Sequence, residues 1–353
     1  MRSALGLMAA SVIAAALIAA VWFWTSSPRA ELASSAPATV PAAKSERLPP
    51  AEAAKAAAPD TVDVTATIPD RFAAATQAAP APAVVAQPAA PCANPDALGV
   101  SRVVEVDTTG GPGFGFEHFK QLDFLQDKEV VLTFDDGPWP GNTPAVLKAL
   151  ADQCTKAVFF SIGKHASYHP EILRQVLAAG HTVGTHTWSH ANLNSKKLTE
   201  QQVKDEIEKG FSAVKLALGT APAPFFRFPE LQHNPAAVAY LGQRNVAIFS
   251  CDLDSFDFRK TSTPDKVVQT VMTKLDKLGK GIILMHDFQR HTAEALPELL
   301  RRLKAGGYKV VQMKAKEPLQ TLPEYDEMVM KDGSKVAVTS VRPVSSVVQT
   351  VSQ

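Results

Sequence analysis

Between Glu129 and Val311 the chain alternates short β-branched or aromatic runs with helical periods, and that alternation limits the fold more than any other feature. The apolar runs are Val130-Val131-Leu132-Thr133-Phe134, Ala157-Val158-Phe159-Phe160, Thr182-Val183-Gly184, Pro224-Phe225-Phe226, Val246-Ala247-Ile248-Phe249, Gly281-Ile282-Ile283-Leu284-Met285 and Tyr308-Lys309-Val310-Val311. Helical periods fill 144–151, 170–179, 199–218, 264–278 and 293–305, with Gly180, Gly219, Gly279 and Gly306 where helices should stop. Strand–helix alternation repeated seven times calls for a parallel sheet with helices outside it. About 185 residues is short for a full eight-fold barrel, which takes about 250. The expectation is an α/β fold: a distorted or incomplete (β/α) barrel of seven to eight parallel strands.

The rest of the chain has a different composition. Twelve of the 26 prolines fall between Pro28 and Pro95, and alanine supplies much of the apolar fraction there. After Met1-Arg2-Ser3 comes an uncharged run of 21 residues, 4–24, ending Val21-Trp22-Phe23-Trp24 and followed by Arg29. That length is close to the roughly 20 residues that span a bilayer core, and the terminal aromatics suit its interface. Residues 1–24 read as a membrane anchor, ahead of a removable signal segment; both export the remainder. Residues 25–95 cannot bury enough surface to offset chain entropy and read as a disordered Ala/Pro-rich tether. About 70 such residues reach roughly 45 Å as a coil and up to about 200 Å extended. Residues 96–127 read as an extension capping the barrel, 128–313 as the catalytic domain, and 314–353 as a loosely ordered tail. The location implied is the periplasm or cell envelope, tethered to the cytoplasmic membrane.

Charge and cysteine content exclude other classes. Lys plus Arg is 36 and Asp plus Glu 35, so no electrostatic footprint for nucleic acid exists. Three cysteines rule out a disulfide-dense mini-fold and a four-cysteine zinc site. In an oxidising location Cys92, where tether meets domain, can pair with Cys154 at the end of the first helix, tying down the leader. Cys251 reads as a small buried apolar residue.

Polar residues collect at the carboxyl ends of the expected strands. Asp135 and Asp136 follow the first, His186 and His190 the third, Arg227 the fourth, Asp252, Asp254 and Asp257 the fifth, and His286 and Asp287 the sixth. Barrels build active sites on that face. His186-Thr187-Trp188-Ser189-His190 has i, i+4 spacing, which sets two imidazoles side by side on one helical turn. With a carboxylate from another element, the pair resembles the donor set of catalytic zinc. Asp135 and Asp136 point in different directions, so one can bind metal while the other faces the attacking water. Two adjacent carboxylates would also suit a magnesium phosphoacceptor pocket, but magnesium prefers oxygen ligands and the histidines argue against it. Of the remaining histidines, His165 stands nearest this region; His118, His169, His181, His233 and His291 read as surface, capping or rim residues.

Thr133-Phe134-Asp135-Asp136-Gly137-Pro138, His186-Thr187-Trp188-Ser189-His190, Arg227-Phe228-Pro229, Asp254-Ser255-Phe256-Asp257 and Leu284-Met285-His286 occur in that order. The set resembles the NodB-type polysaccharide deacetylases of carbohydrate esterase family 4, over roughly residues 128–313. The resemblance implies a distorted barrel and divalent-metal hydrolysis of N-acetyl groups on amino-sugar polymers such as peptidoglycan, chitin-like oligomers or an exopolysaccharide. It implies Asp136, His186 and His190 as ligands of one divalent ion, zinc first, with cobalt, nickel or manganese as alternatives. Asp135 would be the general base, Arg227 its charged partner, His286 the general acid and Asp257 the carboxylate that keeps His286 protonated. The backbone of Glu230, after Pro229, would contact the oxyanion. Glu230 stands where the family has an aromatic, and Phe258 where it has a tryptophan. The alternatives are an O-acetyl esterase or small-amide hydrolase on the same fold, and a non-catalytic glycan-binding envelope module.

Overall fold

The computed structural model describes Cys92 and residues 94–340, with side chains through residue 332. The expected anchor, nearly all of the tether and residues 341–353 lie outside the described residues. The elements, in order, are β1 (Arg102–Val106), β2 (Gly113–Phe114), β3 (Glu129–Asp135), α1 (Asn142–Asp152), β4 (Val158–Ser161), α2 (Gly163–Tyr168), α3 (Pro170–Ala178) and β5 (Thr182–Thr185). Then come α4 (Glu200–Leu218), β6 (Phe225–Phe226), α5 (Pro235–Gln243), β7 (Ala247–Phe249), β8 (Leu253–Asp254), α6 (Pro264–Leu278), β9 (Gly281–His286), α7 (Arg290–Ala305), β10 (Lys309–Ala315) and α8 (Pro323–Ser340).

Every strand pairing among the described residues is parallel. β3, β4, β5, β6 and β7 pair in succession, and β8 pairs with β9, which returns to β3. β7 and β8 are two halves of one stretch interrupted at residues 250–252, so the ring closes as a distorted barrel. Strand parity sorts the core. In β3, Val130, Leu132 and Phe134 pack outward with Leu150, Leu296 and Leu299 of α1 and α7. Val131 packs inward with Val158, Phe160, Phe225, Phe249 and Ile282. Burial on both faces is why these strands read as continuous apolar runs. The same parity turns Asp135 and, in β9, His286 toward the interior.

Two expectations need correction. Residues 96–127 do more than cap the barrel: β1 pairs with β10, β2 with β7, and Phe114 and Leu125 enter the inner core. The region after 313 is ordered through Ser340. β10 runs to Ala315, and α8 packs on α4 with Leu319, Tyr325 and Val329 buried. The Tyr325 hydroxyl donates to Asp205 at 2.7 Å, and Lys215 pairs with Asp326 at 2.7 Å. Gly180, Gly219, Gly279 and Gly306 stand where helices stop, as expected, and after α7 the left-handed residue is Gly307 (φ 73°).

Cys92 and Cys154 are joined by a disulfide with Cα atoms 5.7 Å apart. Cys251 is a buried free thiol, and burial pushes it up to about 12.

Candidate active site

Register brings the strand ends to one level. Asp135 is the Cα partner of His286 across β3 and β9, and Thr185 partners Phe226 one residue before His186 and Arg227. The interior at that level is where a long side chain from β6 can cross to β3. Arg227 does so with no exposure at all. Its Nη1 donates to Asp135 Oδ1 and Thr133 Oγ1, each at 2.7 Å, and its Nη2 to the Ser250 carbonyl at 2.8 Å. The guanidinium carbon lies 4.4 Å from the Phe160 ring centre. A charged carboxylate survives burial only with such pairing.

Asp136 leaves the strand with φ 75°, a left-handed conformation, and its carboxylate turns toward the two histidines. The His186–His190 pair sits on a tight turn after β5, correcting the expected helical turn. Thr187 and His190 have φ of 66° and 61°, and the Thr187 hydroxyl accepts the His190 N–H at 3.0 Å. Packing imposes the turn. Gly163 and Lys164 N–H groups donate to the Thr187 and Trp188 carbonyls, each at 2.9 Å, and Trp188 N–H to Glu206 at 2.8 Å. Gly210 of α4 comes so close that a Cβ there would lie 2.7 Å from the Thr187 carbonyl carbon. The imidazoles still face each other, with centroids 4.9 Å apart.

The ligand atoms of Asp136, His186 and His190 lie within 4.8 Å of one another. His186 Nδ1 donates to the Arg227 carbonyl at 2.7 Å, which leaves Nε2 as a bare acceptor. That Nε2 is 3.6 Å, and the Nε2 of His190 is 3.4 Å, from Asp136 Oδ1. Asp136 Oδ1 is buried without a hydrogen-bond partner. Burial holds His186 below its usual value against the pull of Asp135 and Asp136, so it is neutral, as a ligand must be. Acceptor lone pairs converging on a buried carboxylate oxygen repel unless a cation lies among them, and two imidazoles with one carboxylate suit zinc-like ions.

Across this triad stands His286. Its Nδ1 lies 2.6 Å from Asp257 Oδ1, and its main-chain N–H donates to Asp257 Oδ2 at 2.7 Å. The Thr292 hydroxyl donates to the same Oδ2. Burial works against protonation of His286, but Asp257, with help from Asp136 and Asp135, brings it up to about 10. Phe258 is 50% exposed with its ring 5.6 Å from that of His286. Pro229 is buried in a 3₁₀ turn (Pro229–Leu231), and Glu230 has φ 55° with its exposed carboxylate accepting from Asn192 Nδ2 at 2.8 Å.

Several expected residues fall elsewhere. Asp252 lies low in the barrel, accepting the Ile282 and Phe116 N–H groups, each at 2.6 Å, and Asp254 accepts the Phe256 N–H at 2.8 Å. Asp252 falls in the break between β7 and β8, and Asp254, at the end of β8, turns to the loop that follows it. His181 is buried beside Phe159, and burial pushes it down to about 3, so it is a core residue and no surface or rim group. Supporting residues unseen from sequence are Thr133, Ser250, Thr292 and Thr143; their partners come from distant strands.

The sequence model for polysaccharide deacetylases matches residues 125–248. A chitooligosaccharide deacetylase of Bradyrhizobium sp. is 31% identical over 160 residues, 45% of this chain and 71% of that protein. This chain belongs to the polysaccharide deacetylase family. A peptidoglycan-N-acetylglucosamine deacetylase of Listeria monocytogenes is 33% identical over 185 residues, 52% of this chain. The chain spans only 38% of that relative's length. The solved peptidoglycan deacetylase of Bdellovibrio bacteriovorus has 34% identity and a TM-score of 0.55, over 62% of this chain and 59% of that one. The part matched by the polysaccharide deacetylase model contains Asp135, Asp136, His186, His190 and Arg227. Asp257 and His286 lie beyond it and join the site through geometry.

Proposed function

We propose that this chain is a metal-dependent hydrolase that removes N-acetyl groups from amino-sugar polymers such as peptidoglycan or chitin-like oligomers. The observation that carries the reading is the converging triad of Asp136, His186 and His190, with the Arg227-paired carboxylate of Asp135 on one side and the Asp257-paired imidazole of His286 on the other. Asp136, His186 and His190 would hold one divalent ion, zinc by the donor set, which when bound polarises the acetyl carbonyl and acidifies water.

Asp135, oriented by its 2.7 Å pair with Arg227 Nη1, takes the proton of the attacking water. The main-chain N–H of Glu230 faces the developing oxyanion on the rim behind Pro229. His286 donates its proton to the departing amine; afterwards Asp135 releases the proton it took to solvent, and His286 regains one from solvent as the imidazolium that Asp257 stabilises. An amine leaves poorly without a proton, whereas an alkoxide from an ester needs it less. The strongly raised His286 therefore favours amide over O-acetyl ester. Trp139 and Phe258, both partly exposed beside the site, offer apolar faces to sugar rings. Residues 4–24 would tether the enzyme to the cytoplasmic membrane, with the polymer in the cell envelope as its partner.

The test is acetate release by the full chain from N-acetylglucosamine oligomers, purified peptidoglycan and acetylated xylan. It is run as purified, after chelation, and after metal is restored. Acetate and free amine should appear together, vanish with the metal and return with it. Release from acetylated xylan alone would make the chain an O-acetyl esterase, and glycan binding without turnover a binding module.

A further inference from the structure

The peptide linking Asp136 to Gly137 is gripped on both edges. His165 Nδ1 donates to the Asp136 carbonyl at 2.6 Å, and the Gly137 N–H donates to Asp287 Oδ1 at 3.1 Å. Both partners are themselves fixed. The Asp287 carboxylate is buried, and its Oδ2 accepts the Thr143 hydroxyl of α1 at 2.5 Å. The His165 ring stacks on Phe288, with centroids 5.9 Å apart and planes 12° apart, and meets Trp139 edge-on at 5.2 Å. The flanking groups are also satisfied: Asp136 N–H donates to the Phe160 carbonyl and Ile162 N–H to the Gly137 carbonyl, each at 3.2 Å.

This grip falls where the backbone is least content. Asp136 has φ 75°, a region that residues with a Cβ seldom occupy and keep only when their surroundings over-determine it. The position admits no side chain at the next residue, because a Cβ on Gly137 would lie 2.1 Å from Asp287 Oδ2. An extended Asp136 would rotate that peptide, break both hydrogen bonds and swing its carboxylate away from His186 and His190.

We propose that His165 and Asp287 are positioning residues which jointly hold the Asp136–Gly137 peptide, and through it the left-handed Asp136, in the geometry that binds the metal. The inference rests on the metal-binding reading of Asp136, His186 and His190. Neither residue touches the ion or the substrate; each acts through one peptide group. Asp287 also joins the loop after β3 to the end of β9, so the ligand Asp136 and the acid His286 are set by one frame.

The experiment measures zinc affinity by chelator competition and the visible spectrum of the cobalt-loaded chain, alongside the thermal midpoint of the metal-free protein. His165→Ala and Asp287→Ala should each weaken zinc binding about 10- to 100-fold, the usual effect of losing an outer partner of a ligand. The double variant should lose less than the product of the two, because both act on one peptide. His165→Asn puts an amide N–H where Nδ1 was, and Asp287→Asn keeps a carbonyl for Gly137. Both should bind zinc within about 3-fold of wild type, and the cobalt spectrum should change in the alanine variants only. Wild-type affinity in folded His165→Ala and Asp287→Ala, with only the thermal midpoint lowered, would make the grip structural and overturn the proposal. Asparagine variants as weak as alanine would do the same. A wild-type chain that binds no divalent ion would overturn the metal reading itself, which the wild-type titration reads separately.

Discussion

Replacing Asp257 by asparagine tests the acid assignment most sharply, because it removes one charge and almost no volume. The carboxylate lies 2.6 Å from His286 Nδ1 and is the first of the influences that raise it; burial pulls the other way. With Asp257 present, His286 stands at about 10. That value belongs to the metal-free chain; a bound ion offsets the smaller help of Asp136 and Asp135 in wild type and variant alike, so Asp257 is what holds His286 up, and without it burial brings the imidazole to its ordinary value of about 6.5 or lower. The sign follows: a raised value keeps the proton to higher pH, and losing Asp257 moves the alkaline limb downward. At pH 8 wild-type His286, held up by Asp257, stays mostly protonated, against about 3% of the variant. The ratio of kcat/KM, variant to wild type, should therefore be about 30-fold down at pH 8 and recover most of that loss at pH 5.5. The assay is acetate release at limiting oligosaccharide and saturating metal from pH 5.5 to 10. A ratio that stays flat across that range would refute the role of Asp257.

Four further outcomes are expected. Asp136→Ala, His186→Ala and His190→Ala should each lose bound metal, whereas Asp135→Asn should keep it and lose about 10²–10⁴-fold in turnover; metal analysis beside kinetics separates the two. Arg227→Met leaves Asp135 buried without a partner and should destabilise the domain by about 3–5 kcal/mol in denaturant titration, and a change below about 1 kcal/mol would count against the pairing. Trp139→Ala should raise KM for oligomers by about 2- to 13-fold, the loss of one ring contact of about 0.5–1.5 kcal/mol, with kcat kept. Cys92→Ser frees a link across a sequence separation of 62 and should lower stability by about 4 kcal/mol on the chain-entropy argument, with equal stability before and after reduction of the wild type as the contrary result.

How much was legible depended on the range of the forces involved. Strands β3, β4, β5 and β9 and helices α4 and α6 are long or strongly patterned, so composition and period announced them within a residue or two, whereas β10 runs four residues past the expected Val311 to Ala315. β2 and β8 have two residues each and exist only because a partner strand supplies their hydrogen bonds; β6 is as short but was marked by Pro224-Phe225-Phe226. The apolar positions of α8 that matter, Tyr325 and Val329, lie in a segment expected to be a loose tail, and only docking on α4 makes them a buried face. The site followed the same division. Asp135, Asp136, His186, His190, Arg227, Asp257 and His286 stand in local motifs, and the structure brings all seven to one end of the barrel. The shape of the His186–His190 turn was not local: it is imposed by Gly210 on α4, over 20 residues away. Asp252 and Asp254 carried the same chemical promise as Asp257, but Asp252 accepts main-chain N–H groups in the break between β7 and β8 and Asp254 caps the turn at Phe256, while Asp257 pairs with the His286 ring. His165 and Asp287 mark the limit most clearly. Asp287 directly follows a motif and His165 lies far from any, yet what each does depends on the Asp136–Gly137 peptide standing between them, and no pattern in one chain announces that juxtaposition.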